Sequence, residues 1–315
     1  MIIISRRMGQ LGNRLFLFSY LIAAARHYGV KLLNPCFAEY AHLFPSTRHD
    51  LWCRYDRHLK WQHGADRSQQ PSRSRRMALM NVFQTGTRVL DLTRMRRIPF
   101  NVIRLRREES CDLEGERFCR AILSGRPVLL QGWWFRSRRL LDHHSPAIRE
   151  FFEIDAVDQT AIDATISRAR RDIDVLVGVH IRRGDYARFL GGKYYYDFAD
   201  YARWMNEVRE QLPGKRVGFL VCSNEPVHSN DFPGLRICSG PGTPLQDMYS
   251  LAETDWMMGP PSTFTGWASF YGERPLVSIE SSDVSVVAPP VKAHLASERN
   301  RITDDLLSVA SFRSA

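Results

Sequence analysis

The chain has 315 residues, 44% of them apolar and 25% charged, a length for about two domains at roughly 100–200 residues each and an ordinary globular composition. Disorder, collagen and coiled coil are thereby excluded as descriptions of the whole chain. The formal net charge of +10 is concentrated: residues 67–107 hold 11 arginines, no lysine and one acid, Asp91, and the remainder sums to zero.

At the N-terminus, Ile2 to Ser5 reads as a short buried strand. After the loop RRMGQLG, the residues Leu15, Phe18, Ile22 and Ala25 recur at helical spacing. Asn13 stands where a helix N-cap is expected, and Gly29 where the helix should stop. The apolar run Ile2–Ile4 is too short for a signal-peptide core, and its arginines follow rather than precede it. The longest apolar stretch, Leu15 to Ala25, falls below the roughly 18–20 residues of a membrane span. A soluble, cytoplasmic protein is expected.

From about 34 to 150 the pattern weakens, and RSQQPSRSRR (67–76) reads as a loop. The arginine block of 67–107 is either a solvated insert or a surface for anionic lipid, polyanionic glycan or nucleic acid. No zinc finger, RNP-type motif or helix-turn-helix accompanies it, so nucleic acid is not expected. Arginines alternate with apolar residues in MRRIPFNVIRLRR, which keeps peripheral contact with the inner face of a membrane open, although Pro99 interrupts any single long amphipathic helix. PVLLQGWW, from Pro127 to Trp134, reads as a strand whose double tryptophan is core or carbohydrate platform, and a helix follows from about Pro146 to Phe152. The cysteines Cys36, Cys53, Cys111, Cys119, Cys222 and Cys238 form no CxxC pair and no Cys/His cluster at zinc spacing, so a reducing compartment and no structural metal are expected.

The second half alternates regularly. Strand-like IDVLVGVHI (173–181), KRVGFLVCS (215–223), LRICS, TDWMMG and PLVSIE are separated by helical runs around YYYDFADYARWMNEVREQL, PLQDMYSLAE and STFTGWASFYG. This predicts an α/β fold with a mostly parallel sheet covered by helices on both faces.

Three strand-to-helix turns carry possible chemistry. VGVHIRRGDY puts His180, Arg182, Arg183 and Asp185 at the carboxyl end of a parallel strand, where open α/β sheets bind ligands. Two adjacent guanidiniums there suit a diphosphate, or else form a structural ion pair with Asp185. GQLGN (Gly9 to Asn13) suits an anion at a helix N-terminus, but it lacks the Lys-Ser/Thr of a P-loop, which disfavours a P-loop ATPase. PPSTFTGWASFYG offers Ser262, Thr263 and Thr265 hydroxyls at a helix start, where capping alone explains Ser262 or Thr263.

The ordered set GQLGNRLFLFSYLIAAA, VHIRRGDY, LVCSNEP and DMYSLAETDWMMGPPSTFTGWASFYG resembles the bacterial α-1,2-fucosyltransferases of glycosyltransferase family 11. The wider fucosyltransferase superfamily shares its HxRRxD element. The resemblance covers the first 30 residues and about 175 to 280. It implies a GT-B architecture of two Rossmann-like domains with mostly parallel sheets facing across a cleft. Residues 1–165 would form the acceptor-side domain, with 67–107 as its arginine-rich insert, and 166–315 the GDP-sugar domain. It also implies a GDP-fucose donor, a glycan acceptor that is free or lipid-linked, inversion at the anomeric carbon, and neither cofactor nor metal.

On the matching positions, Arg182 would stabilise the β-phosphate of departing GDP, with Arg183 supporting it and His180 near the nucleotide. Gly12 and Asn13 would approach the β-phosphate or fucose from the other domain. Ser223, which ends the strand motif, would also bind the donor, and Ser262, Thr263 and Phe264 would line the phosphate and ribose. Asp247 would read the guanine N1–H and 2-amino group, or simply be a first-turn acid. Asp185 is the acid nearest the site in the chain, as proton acceptor or as ion-pair partner.

Two departures from the family pattern stand out. Asn224 and Glu225 follow Ser223 where two acids are usual, and MGPPSTF replaces the usual Ala-Asn-Ser-Thr-Phe. They leave room for another GDP-sugar or linkage. A reading of a different class is a non-catalytic polyanion-binding protein acting through 67–107.

Overall fold

The computed structural model describes residues 1–56, 70–93, 99–106 and 108–289. The chain divides into two compact units, Met1–Asp155 and Ala156–Ala315. The expected boundary at 165/166 falls inside a helix, Ala156–Ala169. That helix packs on strands and a helix of the second unit, which is why it belongs there as a whole.

In the first unit the strands are β1 (Ile2–Ile4), β2 (Leu32–Leu33), β3 (Arg54–Tyr55), β4 (Asn101–Arg104), β5 (Ser110–Asp112), β6 (Val128–Gln131) and β7 (Trp134–Arg136). Its helices are α1 (Leu11–Tyr28), α2 (Pro45–Arg48), α3 (Arg73–Thr93), α4 (Glu116–Leu123), α5 (Arg138–His143) and α6 (Ser145–Phe151). The main sheet has the order β3-β2-β1-β6-β4 and is parallel except at the edge strand β3. All three residues of β1 are buried, as the centre of a sheet covered on both faces requires.

Helix α1 is buried on nearly every side, and Phe18 meets Phe37, Phe151 and Phe152 edge to face at 5.3–5.6 Å between centroids. It ends at Gly29, in the left-handed region as expected, but begins at Leu11 with Gln10 as N-cap, so Asn13 lies in the first turn. The reason is Gly9. Its φ of +57° turns the chain into the helix early, and a Cβ there would overlap the Asn13 side chain. Arg14 holds this turn by donating from Nε to the Gly9 carbonyl at 3.1 Å.

The segment 67–76, expected as a loop, is helical from Arg73. Ser72 caps that start, its Oγ accepting from the Arg75 N–H at 3.3 Å. Arg76 is buried and donates to the carbonyls of Asp50 (2.7 Å), Thr47 (3.3 Å) and Arg48. Arg76, Met80 and Thr87 share the buried face, so an arginine occupies the place where periodicity would seek an apolar residue. All six cysteines are free thiols.

The second unit contains β8 (Val175–Ile181), β9 (Val217–Ser223), β10 (Ile237–Ser239), β11 (Trp256–Gly259) and β12 (Leu276–Ser278). Its helices are α7 (Ala156–Ala169), α8 (Phe198–Glu210), α9 (Pro244–Ala252) and α10 (Thr263–Gly272). The sheet order is β10-β9-β8-β11-β12, parallel throughout. Every residue of β8 is buried, and Trp204, Tyr196, Tyr201, Met205 and Met258 pack with Val177 and Val179 in one core cluster. The chain runs outward from β8 to β10, then crosses to β11 on the other side, which places the topological switch point at the carboxyl ends of β8 and β11.

Helices α9 and α10 pack closely: a Cβ on Gly272 would overlap the Ala252 carbonyl at the end of α9. Because that obstacle is backbone, Gly272→Ala should destabilise the protein by about 1–3 kcal/mol. Thermal unfolding checks this, and an unchanged melting temperature would contradict it.

Candidate functional site

The site is built on the carboxyl edge of the second sheet. His180 pairs with Cys222 and Ile181 with Ser223, so the ends of β8 and β9 stop level. His180 is 3% exposed, and its ring stacks on Phe264 at 4.7 Å with 20° between planes. Gly259 permits this, since a Cβ there would come within 2.8 Å of the His180 carbonyl oxygen. Burial, with the Arg182 charge as the lesser cause, pushes the His180 pKa down to about 3. The ring is therefore neutral at physiological pH, and its Nδ1 has no hydrogen-bond partner among the described residues.

Beyond His180 the chain enters the loop of Arg182 to Tyr186, held from the end of β9. Asn224 Oδ1 accepts from the Arg183 N–H at 2.9 Å, and Glu225 Oε1 from the Gly184 N–H at 2.9 Å. Gly184 has φ +53°, and a Cβ on it would stand 2.7 Å from Asn224 Nδ2, so the turn admits glycine alone without strain. Glu225 Oε2 also accepts from Arg183 Nε at 3.0 Å. The same guanidinium donates to the Tyr196 carbonyl and Asp197, both at 3.0 Å, and to the Tyr195 hydroxyl. It lies over the rings of Tyr195 (4.6 Å) and Phe198 (4.7 Å). Arg183 thus spends its donors inside the protein and anchors the loop.

Arg182 faces differently. Its side chain is 21% exposed and pairs at 2.8 Å with Asp185, itself 53% exposed. An ion pair that open to water contributes about 0–1 kcal/mol, so little is lost when Arg182 engages an anion. Its guanidinium also lies 5.5 Å from the Tyr186 ring centroid, and the Tyr186 hydroxyl donates to the Pro261 carbonyl at 2.9 Å. That bond ties the arginine loop to the turn between β11 and α10.

At that turn Ser262 is the N-cap of α10, its Oγ accepting from the Phe264 N–H at 3.1 Å, and Thr263 is the first helical residue. The capping expected of Ser262 is present, and the helix start still presents backbone N–H groups and partial positive charge. Ser223 Oγ accepts from the Glu225 N–H at 3.1 Å and so shapes the clamp. Asp247 sits in the first turn of α9, 7% exposed. Its Oδ1 accepts from the Gly242 N–H at 2.8 Å, while Oδ2 accepts no hydrogen bond among the described residues. Burial pushes its pKa up to about 6, against the lowering effect of the Gly242 bond.

Gly12 and Asn13 lie in the first turn of α1, at the carboxyl end of β1, in the other unit. Arg14, 5% exposed, is paired with Glu39, which also binds Arg7 at 2.8 Å. Of the two tryptophans, Trp133 is buried and Trp134 half-buried, and both rings flank the Arg136 guanidinium at 4.6 and 5.0 Å. The sequence reading missed Asn224, Glu225, Tyr186, Tyr195 and Gly259 as parts of the site. A signal for the first two existed in the LVCSNEP strand end, where they register only as a departure.

No protein-family model matches the chain, and no curated protein matches it by sequence. Among solved structures it is similar to an Arabidopsis thaliana FUT1 variant in complex with GDP, at 12% identity and a TM-score of 0.54, over 89% of this chain and 71% of that one. It is also similar to the α-1,6-fucosyltransferase NodZ soaked with GDP-fucose, an enzyme from Bradyrhizobium, at 17% identity and a TM-score of 0.51, over 89% and 94%. At such identities the likeness is one of fold, and with the two mostly parallel sheets it establishes an α/β chain of GT-B type.

Proposed function

We propose that this protein is an inverting glycosyltransferase that moves L-fucose from GDP-fucose to a glycan hydroxyl, the 2-OH of a galactoside, forming an α-1,2 linkage. The observation that carries the reading is Arg182. It is a cation held by a short rigid loop at the switch point of a parallel sheet, beside the N-terminus of α10 and a neutral buried histidine. A site of that construction suits a diphosphate. The motif resemblance, and the GDP and GDP-fucose in the two similar structures, support the same donor.

In this reading the acceptor oxygen attacks the anomeric carbon, the bond from that carbon to the β-phosphate oxygen breaks, and the acceptor proton passes to a base. Negative charge gathers on departing GDP as the sugar becomes oxocarbenium-like. The Arg182 guanidinium and the α10 N–H groups meet that charge without reorganising, in place of a metal ion. His180 contributes no charge, and its stacking fixes Phe264 against the nucleotide. Asp185 is committed to a guanidinium, so we assign it to orienting Arg182 rather than to proton transfer. The motif resemblance assigns Gly12 and Asn13 to the donor as well, and Thr263 and Ser223 line the phosphate side.

Replacing Arg182 by Ala should lower turnover with labelled GDP-fucose by about 10²–10³-fold and leave the melting temperature unchanged, with wild-type activity persisting in a chelator. Full activity of the variant, or activity lost to the chelator, would contradict the mechanism. A panel of GDP-sugars in the same assay, followed by linkage analysis of the product, tests donor and linkage, and transfer from GDP-mannose alone would replace fucose by another sugar.

Asp247 supplies a second test. A carboxyl titrating at about 6 in the folded protein, above its ordinary 3.8, favours its protonated form, so its ionisation costs stability as pH rises through that window. If Oδ2 reads guanine, GDP affinity should fall as pH drops below about 6, by at most about tenfold per unit. Asp247→Asn should then melt higher at neutral pH, lose the pH dependence, and discriminate poorly between GDP and inosine diphosphate, which lacks the 2-amino group. Unaltered GDP affinity in that variant would leave Asp247 with only its hold on Gly242.

A further inference from the structure

Helix α3 buries one face and leaves an apolar one open. Arg76 and Met80 face inward, whereas Ala78, Val82 and Val89, also at helical spacing, border an open groove of about 850 Å³. Ile3, Leu129 and Phe100 line its other side. No acidic or basic side chain is among the described residues that line it. Val82 is 66% exposed and Val89 48%, values that leave large apolar surface in water on one continuous face.

Charge lies beside this groove. Arg75 shares the helix face of Ala78, Val82 and Val89, Arg88 adjoins Val89, and Arg126 stands one residue before the groove's Pro127; all three are exposed and form no ion pair among the described residues. An apolar slot demands an apolar guest, and the arginines around it demand an anion. One partner satisfies both: an amphiphile with an anionic headgroup. A second copy of this chain would bring its own arginine cluster against the first, and a water-soluble polyanion would leave the groove empty.

We propose that this face docks on an anionic bilayer surface, with an acyl chain seated between α3 and the sheet and the arginines on lipid phosphates. The contact is peripheral: among the described residues no helix is long and apolar enough to cross a membrane. Apolar insertion and headgroup attraction act together, so binding weakens as salt screens the arginines. The inference stands apart from the transfer reaction and does not require it.

The test is co-sedimentation of the full chain with vesicles of phosphatidylcholine alone and of phosphatidylcholine mixed with phosphatidylglycerol. Binding to the mixed vesicles should be about tenfold tighter or more and should fall with added salt. The double variant Val82→Asp, Val89→Asp should bind about tenfold more weakly with an unchanged melting temperature, since both positions are exposed. The variant Arg75→Ala, Arg88→Ala should lose part of the preference for the anionic vesicles. Absent binding, equal binding to both vesicle types, or wild-type binding by the valine variant would overturn the proposal. So would a dimer in solution that the valine variant dissociates, which would assign the face to a second copy of the chain.

Discussion

The hydrogen bonds from the end of β9 to the backbone beyond β8 are the constraint on which the candidate site depends. A loop leaving the centre of a parallel sheet exposes N–H groups that no neighbouring strand can satisfy. Here Asn224 and Glu225 take two of them, at Arg183 and Gly184. Glu225 is then half of a two-sided fixture, because its other oxygen holds the Arg183 guanidinium. Charge-assisted bonds of this kind are the stronger ones, and their planar geometry fixes direction as well as distance. With Arg183 turned inward, the adjacent Arg182 is left at the edge of the sheet, paired with Asp185.

The electrostatics of that edge follow from the same arrangement. A second buried cation would repel a first, and the burial that lowers the His180 pKa to about 3 keeps the ring neutral beside Arg182. Positive potential is thus supplied by one partly exposed guanidinium and by the start of α10, both fixed in place before any ligand arrives. Tyr186 couples the two, reaching from the arginine loop to the Pro261 carbonyl.

Much of this was legible in the amino-acid sequence, for identifiable reasons. β8 reads as a strand because VLVGV (175–179) carries no polar side chain up to the histidine, and the alternation of strands and helices after residue 173 carries the parallel sheet with it. The GT-B fold expected from the motifs is the one observed. Other features depended on contacts distant in sequence. Asn13 looks like a cap until Gly9 is seen to turn the chain first. Segment 67–76 looks like a loop from its Ser, Gln and Pro content, yet it is helical from Arg73, and Arg76 is its buried-face residue, with partners near residue 48. Arg183 looks like a phosphate ligand in a run of two arginines, and its partners Tyr195, Tyr196, Asp197 and Glu225 show it turned inward. Charged residues with internal partners defeat pattern reading because periodicity counts them as surface.

The central claim is that a clamped loop presents Arg182 to the diphosphate of GDP without a metal ion. The most direct measurement is calorimetric titration of GDP in the presence of a chelator, into the wild-type protein and into Glu225→Ala, which removes the clamp but leaves Arg182 itself. The account predicts that the wild type binds and that the variant binds at least about tenfold more weakly, as expected when a charged hydrogen-bonding partner is lost. Failure of the wild-type protein to bind GDP, or equal affinity in the two proteins, would contradict it.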